Sequence, residues 1–245
     1  MKKLVLVGLI AGLSVFAQAE IRGAIGVSGE SIDSAYAGVD NHTKFIPMVF
    51  VDHEDFYAKG TRFGAYIYND NTYFVGTGVS IDFSSVDRND NSTFKEMDEL
   101  RGRGNLNLIL ERRSEIVNLF TSIDRDISGA SDGFRVTAQL SKPFEFGDLT
   151  IEPKIGVVWS DEDTNNYLYG IDSNQATADY TTYTSTDSIE PYAEVMARYR
   201  FTKFLGLIGG VKYKKLDDTI MDSPMVDGKS ELSVKLGLLF FFKID

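Results

Sequence analysis

The chain holds two imidazoles in 245 residues, His42 and His53. His53 lies within Asp52-His53-Glu54-Asp55, where a carboxylate could hold the ring as a general base and activate water. A Ser-His-acid triad would have to recruit its serine from elsewhere in the chain, and no local motif nominates one. Acid–histidine clusters at strand ends are most often solvated polar surface. There is no cysteine, so no thiolate nucleophile or thiolate metal ligand exists. Two histidines make a thin donor set for zinc. The residues therefore predict no catalytic group, no cofactor and no metal site.

Charges recur instead at alternate positions. Glu152 and Lys154 share one face of 148–160 with Thr150, Gly156 and Ser160, while Leu149, Ile151, Pro153, Ile155, Val157 and Trp159 share the other. Glu190, Glu194, Arg198 and Arg200 alternate with Ile189, Pro191, Ala193, Val195, Ala197 and Tyr199. Glu111, Arg135, Lys212, Lys214, Glu231 and Lys235 fall on the polar face of other such stretches. Period two over ten to thirteen residues is longer than soluble strands of ~5–6 residues and suits tilted membrane strands of ~9–11. Aromatics such as Tyr73, Trp159, Tyr199 and Tyr213 stand near the stretch ends, as in interfacial girdles. One face then meets lipid and the other an enclosed lumen. Mixed signs there predict ion pairs, because buried unpaired charge is costly. A narrow conduit or ligand pocket is the alternative.

The ends of the chain agree. Met1-Lys2-Lys3, an apolar run Leu4–Phe16 and Ala17-Gln18-Ala19 have the layout of a secretory leader. Two domains follow from this: a signal peptide over 1–19 and a barrel over 20–245. Without Lys2 and Lys3 the mature chain has 23 basic and 36 acidic residues, a net charge of −13, which argues against nucleic acid. Acid gathers in expected outer loops: Asp87–Glu99, Asp161–Asp163 and Asp217–Asp222. Lys235, Gly237, Phe240 and Phe242 near the C-terminus form a polar-x-Gly-x-x-aromatic-x-aromatic strand, the kind of signal a barrel-assembly machinery reads.

The fold class expected is all-β, a transmembrane antiparallel β-barrel of ten strands, with twelve as the alternative. The ten fall near 43–53, 57–68, 72–84, 102–112, 115–126, 131–142, 148–160, 188–201, 203–216 and 229–242. Short turns then alternate with long loops, except at 54–56 and 127–130. The segment 21–28 is left over. Either it lies outside the wall, or a twelfth strand sits in 161–187. Asn165, Asn166 and the run Thr181–Thr186 read as a flexible polar outer loop suited to partner contact.

Trp159-Ser160, Tyr167-Leu168-Tyr169-Gly170-Ile171, Asp217-Asp218 and Asp222-Ser223-Pro224-Met225-Val226 resemble motifs of the MipA/OmpV family of outer-membrane proteins. The resemblance is best over 150–242. It implies a barrel in the outer membrane of a Gram-negative bacterium, in contact with membrane lipid and lipopolysaccharide. It also implies a non-enzymatic scaffold for periplasmic murein enzymes, a lytic transglycosylase and a bifunctional penicillin-binding protein, or a role in adhesion. The family contributes no catalytic residues.

Overall fold

A computed structural model describes residues 21–39, 42–83, 94 and 100–244. The expected leader and most of the acidic cluster 87–99 lie outside these residues. Thirteen strands run in chain order: β1 (Ile21–Asp33), β2 (His42–Asp52), β3 (Phe56–Gly60), β4 (Arg62–Asn69), β5 (Tyr73–Asp82), β6 (Arg103–Arg112), β7 (Asn118–Asp126), β8 (Phe134–Ser141), β9 (Phe144–Phe146), β10 (Leu149–Ser160), β11 (Ser188–Arg200), β12 (Leu205–Lys215) and β13 (Ser230–Ile244). Among the described residues two helices, α1 (Glu162–Tyr169) and α2 (Asp218–Met221), lie in the connections.

Each strand pairs antiparallel with its neighbours, and β1 closes on β13. Twelve strands make the closed wall. The three-residue β9 pairs only with the start of β10, below the stretch where β8 does. Closure is what hydrocarbon demands, since an open edge would leave backbone groups without partners. Alternation sorts the side chains. Ile155, Ile189, Val195, Leu236 and Phe240 are exposed on the outer face, while Glu190, Asn107, Ser122 and Asp124 are buried inside. This is a soluble protein's arrangement turned inside out, the expected result when lipid is the solvent.

The count of ten is corrected to twelve. Ile21–Asp33 is a full wall strand that pairs with both β13 and β2. The stretch 57–68 is a hairpin and not one strand: Lys59 faces Arg62 across a Gly60–Thr61 turn, with Gly60 at φ +70°. The expected site of a twelfth strand, 161–187, holds α1 and an isolated Ile171–Tyr183 bridge. The extra reversal also moves 53–55 to the side of the short turns. Short turns of such barrels face the periplasm and longer loops face outward, and the two-residue Gly60–Thr61 turn takes the place of 53–55 as a short connection on the outward side.

Tyr57 fastens the short hairpin. Its side chain is 1% exposed and lies over Gly64 and Gly76. A Cβ on Gly64 would come within 2.5 Å of the Tyr57 hydroxyl, and one on Gly76 within 2.8 Å of its ring.

Candidate functional site

The interior is the site: a cap, an outer chamber walled by ion pairs, and an inner bowl. At the outer end the loops fold over the mouth. Tyr36, Leu168, Tyr169, Ile171, Leu216, Ile220, Met225 and Val226 form one buried apolar cluster with Phe94 and Leu100. α1 begins there because Asp161 caps it, accepting the Thr164 N–H at 2.9 Å. Polar ties fix the cluster: Tyr36 Oη donates to the Leu168 carbonyl at 2.9 Å, and Ser223 Oγ to the Tyr169 carbonyl at 2.7 Å. Asn165 Nδ2 donates to the Thr186 carbonyl at 2.6 Å, and Ser185 N–H to Asn166 Oδ1 at 2.7 Å. Burial pushes the Tyr169 phenol well above its ordinary pKa.

The flexible polar outer loop expected at Asn165, Asn166 and Thr181–Thr186 is corrected in part. Asn165 is 1% exposed and Ser185 fully buried, so α1 and Ser185 are part of a packed cap, while Thr181, Thr182, Thr184 and Thr186 remain exposed as expected. The residues that carry the family resemblance, Tyr167–Ile171 and Asp217–Val226, are the ones that meet in it.

Beneath the cap lies an outer chamber of about 640 Å³. A belt of ion pairs lines its wall. Lys214 joins Glu190 and Glu231, each at 2.8 Å. Arg62 meets Asp124 at 2.8 Å, and Lys59 pairs with Glu111. Asp82 receives both Arg103 at 2.7 Å and Arg135 at 2.9 Å. Lys154 lies 3.7 Å from Glu152 and 3.9 Å from Glu194, and Lys235 is 3.7 Å from Glu30. Low local dielectric makes such pairing compulsory for charges taken from water.

The inner level is a bowl of about 1130 Å³, open toward the side of the short turns. Nine of its lining residues are Lys or Arg and three are Asp or Glu, in a chain whose net charge is −11. Arg198 and Arg200 belong to this lining. Among the described residues Arg198 has no ion pair, and the Arg200 guanidinium sits 4.3 Å from the Phe241 ring centre. Arg113 bridges Asp52 and Glu111 at 2.6 Å each. Burial works against its charge, but the two carboxylates outweigh it and raise its pKa.

All six charges chosen from the sequence as luminal, Glu152, Lys154, Glu190, Glu194, Arg198 and Arg200, line one of these two cavities. They do not form one cluster: the glutamates and Lys154 belong to the belt, and the two arginines to the bowl. The strand expected to carry the assembly signal is β13. Lys235 points inward, Phe240 is 54% exposed on the lipid face, and a Cβ on Gly237 would come within 2.6 Å of the Val27 carbonyl. Phe242 packs over Gly23, and the strand continues to Ile244 opposite Ile21. His53 stands at the turn before β3. Its ring stacks on Phe56 at 4.7 Å, and its Nδ1 accepts the Asp55 N–H at 3.2 Å, so one nitrogen is committed to the turn. Among the described residues no three His, Asp or Glu side chains are grouped to hold a metal.

Sequence reasoning missed Lys59, Arg62 and Asp124. The first two stand on opposite parities because the turn lies between them, and that parity change was the available signal.

The chain is 26% identical over 246 residues to the MltA-interacting protein of Escherichia coli K12, covering 99% of each. It is 23% identical to the putative outer membrane protein YiaT of the same strain, over 89% of this chain and 90% of that one. Among solved structures it is similar to the COG4313 outer membrane channel from Pseudomonas putida F1, with a TM-score of 0.45 and 12% identity over 91% of this chain and 96% of that one. The two relatives are named an interaction protein and an outer membrane protein. A family model described as "MltA-interacting protein MipA" matches residues 25–242, so the chain is an outer-membrane β-barrel that belongs to this family.

Proposed function

We propose that this barrel is a non-enzymatic scaffold that offers its inner rim and basic bowl to an acidic surface of a periplasmic protein, a murein-processing enzyme being the leading candidate. One observation carries the reading: among the described residues the outer mouth is roofed by packed loops, while the inner mouth is a wide bowl with nine cations against three acids. Complementary charge steers and orients an encounter more than it adds affinity. The relative named for its interaction with MltA supports a partner of that class. A leader peptide over 1–19, handling by a barrel-assembly machinery through β13, and contact with lipopolysaccharide belong to the same proposal.

The test is capture from crosslinked cells. Wild-type protein should retain a murein-lytic enzyme, and a triple variant Arg198→Glu, Arg200→Glu, Lys203→Glu should lose at least about tenfold of it while migrating as a folded barrel. Equal capture by both would refute the basic bowl as the docking site. The second reading, a narrow conduit, draws on the two cavities of 1130 and 640 Å³. It requires single-channel conductance in planar bilayers, where the scaffold reading expects a closed trace.

A further inference from the structure

The luminal wall carries an apolar strip. Met196 on β11, Ile208 on β12, Phe241 on β13, Ala24 on β1 and Phe50 on β2 belong to a single apolar cluster, and all five line the inner bowl. They come one from each of five adjacent strands, so the strip runs about 19 Å around the wall at the usual interstrand spacing. Phe50, Met196 and Phe241 are only partly buried, so apolar surface faces the space of the bowl. Met196, Ile208 and Phe50 also line the outer chamber, which puts this part of the strip at the deep end of the bowl.

Glycines keep the strip flat. A Cβ on Gly210 would run into Met196 Sδ, and one on Gly206 would come within 2.8 Å of the Phe241 ring. One on Gly26 would come within 2.9 Å of Leu239, a member of the same cluster. The apolar side chains thus lie down over bare backbone, and the bowl in front of them stays open at about 1130 Å³.

Cations border the strip on the side of the mouth. Arg198 is the cross-strand partner of Ile208, two residues beyond Met196 toward the short turn. The Arg200 guanidinium lies 4.3 Å from the Phe241 ring centre, and Lys203 sits in the turn that follows. Among the described residues none of these three has an ion pair. From β3 to β7 the charges are matched instead: Lys59 with Glu111, Arg113 with Asp52 and Glu111, Arg62 with Asp124. Unmatched positive charge therefore stands beside the apolar strip.

This juxtaposition selects the occupant. The bowl exceeds the roughly 300–1,000 Å³ of a pocket for one small ligand. Its concavity admits a protruding segment, where a flat protein face would stop at the rim. A strip at depth and cations toward the mouth suit a segment that is apolar at its tip and acidic behind it. We infer, resting on the scaffold reading above, that the bowl receives an acidic tail of the partner with an apolar tip. The tip lies along Met196, Ile208, Phe241 and Phe50, and the carboxylates behind it pair with Arg198, Arg200 and Lys203. The charges steer entry and make it salt-dependent, and the strip holds the tip.

The probe is a fluorescein-labelled nonapeptide with two leucines and a phenylalanine at its tip and three aspartates behind them. It is titrated by fluorescence anisotropy against the full-length barrel in lipid nanodiscs. Wild type should bind it saturably, and empty nanodiscs should not. Met196→Ser with Ile208→Ser should weaken binding at least about tenfold, as should Arg198→Gln with Arg200→Gln. A peptide with serines at its tip should lose binding. Phe50→Ser reads the strip independently, and heat-dependent gel mobility confirms which variants fold. No binding by wild type, or equal affinity in any folded strip or arginine variant or for the serine-tipped peptide, overturns the inserted tail. Capture from crosslinked cells separates this from the scaffold reading. A folded strip variant that retains the murein enzyme as well as wild type, while the charge reversals at Arg198, Arg200 and Lys203 still lose it, refutes the apolar tip and leaves the scaffold standing.

Discussion

At the scale of single residues, the cap depends on tyrosines that are buried yet polar at their tips. Removing the Tyr36 hydroxyl leaves the Leu168 carbonyl without its donor. Tyr36→Phe should destabilise the cap by about 1 kcal/mol, read as faster proteolytic nicking between residues 172 and 180. Tyr169 gives the cap a pH dependence. Its folded pKa is raised by burial, so its contribution is complete below the ordinary phenol value near about 10 and is lost as the pH rises past it. Alkaline opening of the cap should follow by the same nicking assay, and Tyr169→Phe should delete that step. In the belt, Lys214 serves two carboxylates at once. Lys214→Ala strands Glu190, which is 6% exposed, and should cost about 3 kcal/mol in urea unfolding from micelles.

At the scale of elements, legibility followed the purity of the alternation. β10 and β11 could be read almost to the residue because Ile, Val and Trp alternate there with Glu, Lys and Arg. β1 could not. Its lipid face is Gly23, Ile25, Val27 and Gly29, and its lumen face Arg22, Ala24, Gly26 and Ser28, so small residues blur the contrast on both sides. The β3–β4 hairpin was hidden for a different reason. A two-residue turn switches the inward parity from odd, at Tyr57 and Lys59, to even, at Arg62 and Gly64, and a single uniform period cannot register the switch. The cap was not legible: the family motifs marked its residues without showing that they meet, and its helices are too short to show a periodic face. The hairpin yields its own prediction. Gly76→Val drives a side chain into the Tyr57 ring and Ile109 and should cost about 1–3 kcal/mol through overpacking, seen as a lower temperature for loss of the compact gel band.

At the scale of the whole molecule, charge is segregated. The chain is acidic overall at −11, yet its inner bowl is basic. This separation follows from the sequence placing Lys and Arg at luminal positions and Asp and Glu largely in the outward connections. Lipid lies around the wall, a packed roof lies on one side and a cationic basin on the other. Such a body offers chemically different surfaces at its two ends, as the proposed scaffold between membrane and wall would need. All of this presumes that β1 closes the ring, for with β1 outside, β2 and β13 would have to meet directly and the lumen would be rebuilt.

Closure can be tested directly because the chain has no cysteine of its own. Val27 and Leu238 are partners across the β1–β13 seam, and neighbouring antiparallel strands hold Cα atoms about 4.5–5.5 Å apart, within disulfide reach. The double variant Val27→Cys, Leu238→Cys should form an intramolecular disulfide in the outer membrane, visible as a faster-migrating band after denaturation that reverts with reductant. Failure of that bond to form in the folded barrel, while a bridge directly joining β2 to β13 does form, would contradict the twelve-stranded closure.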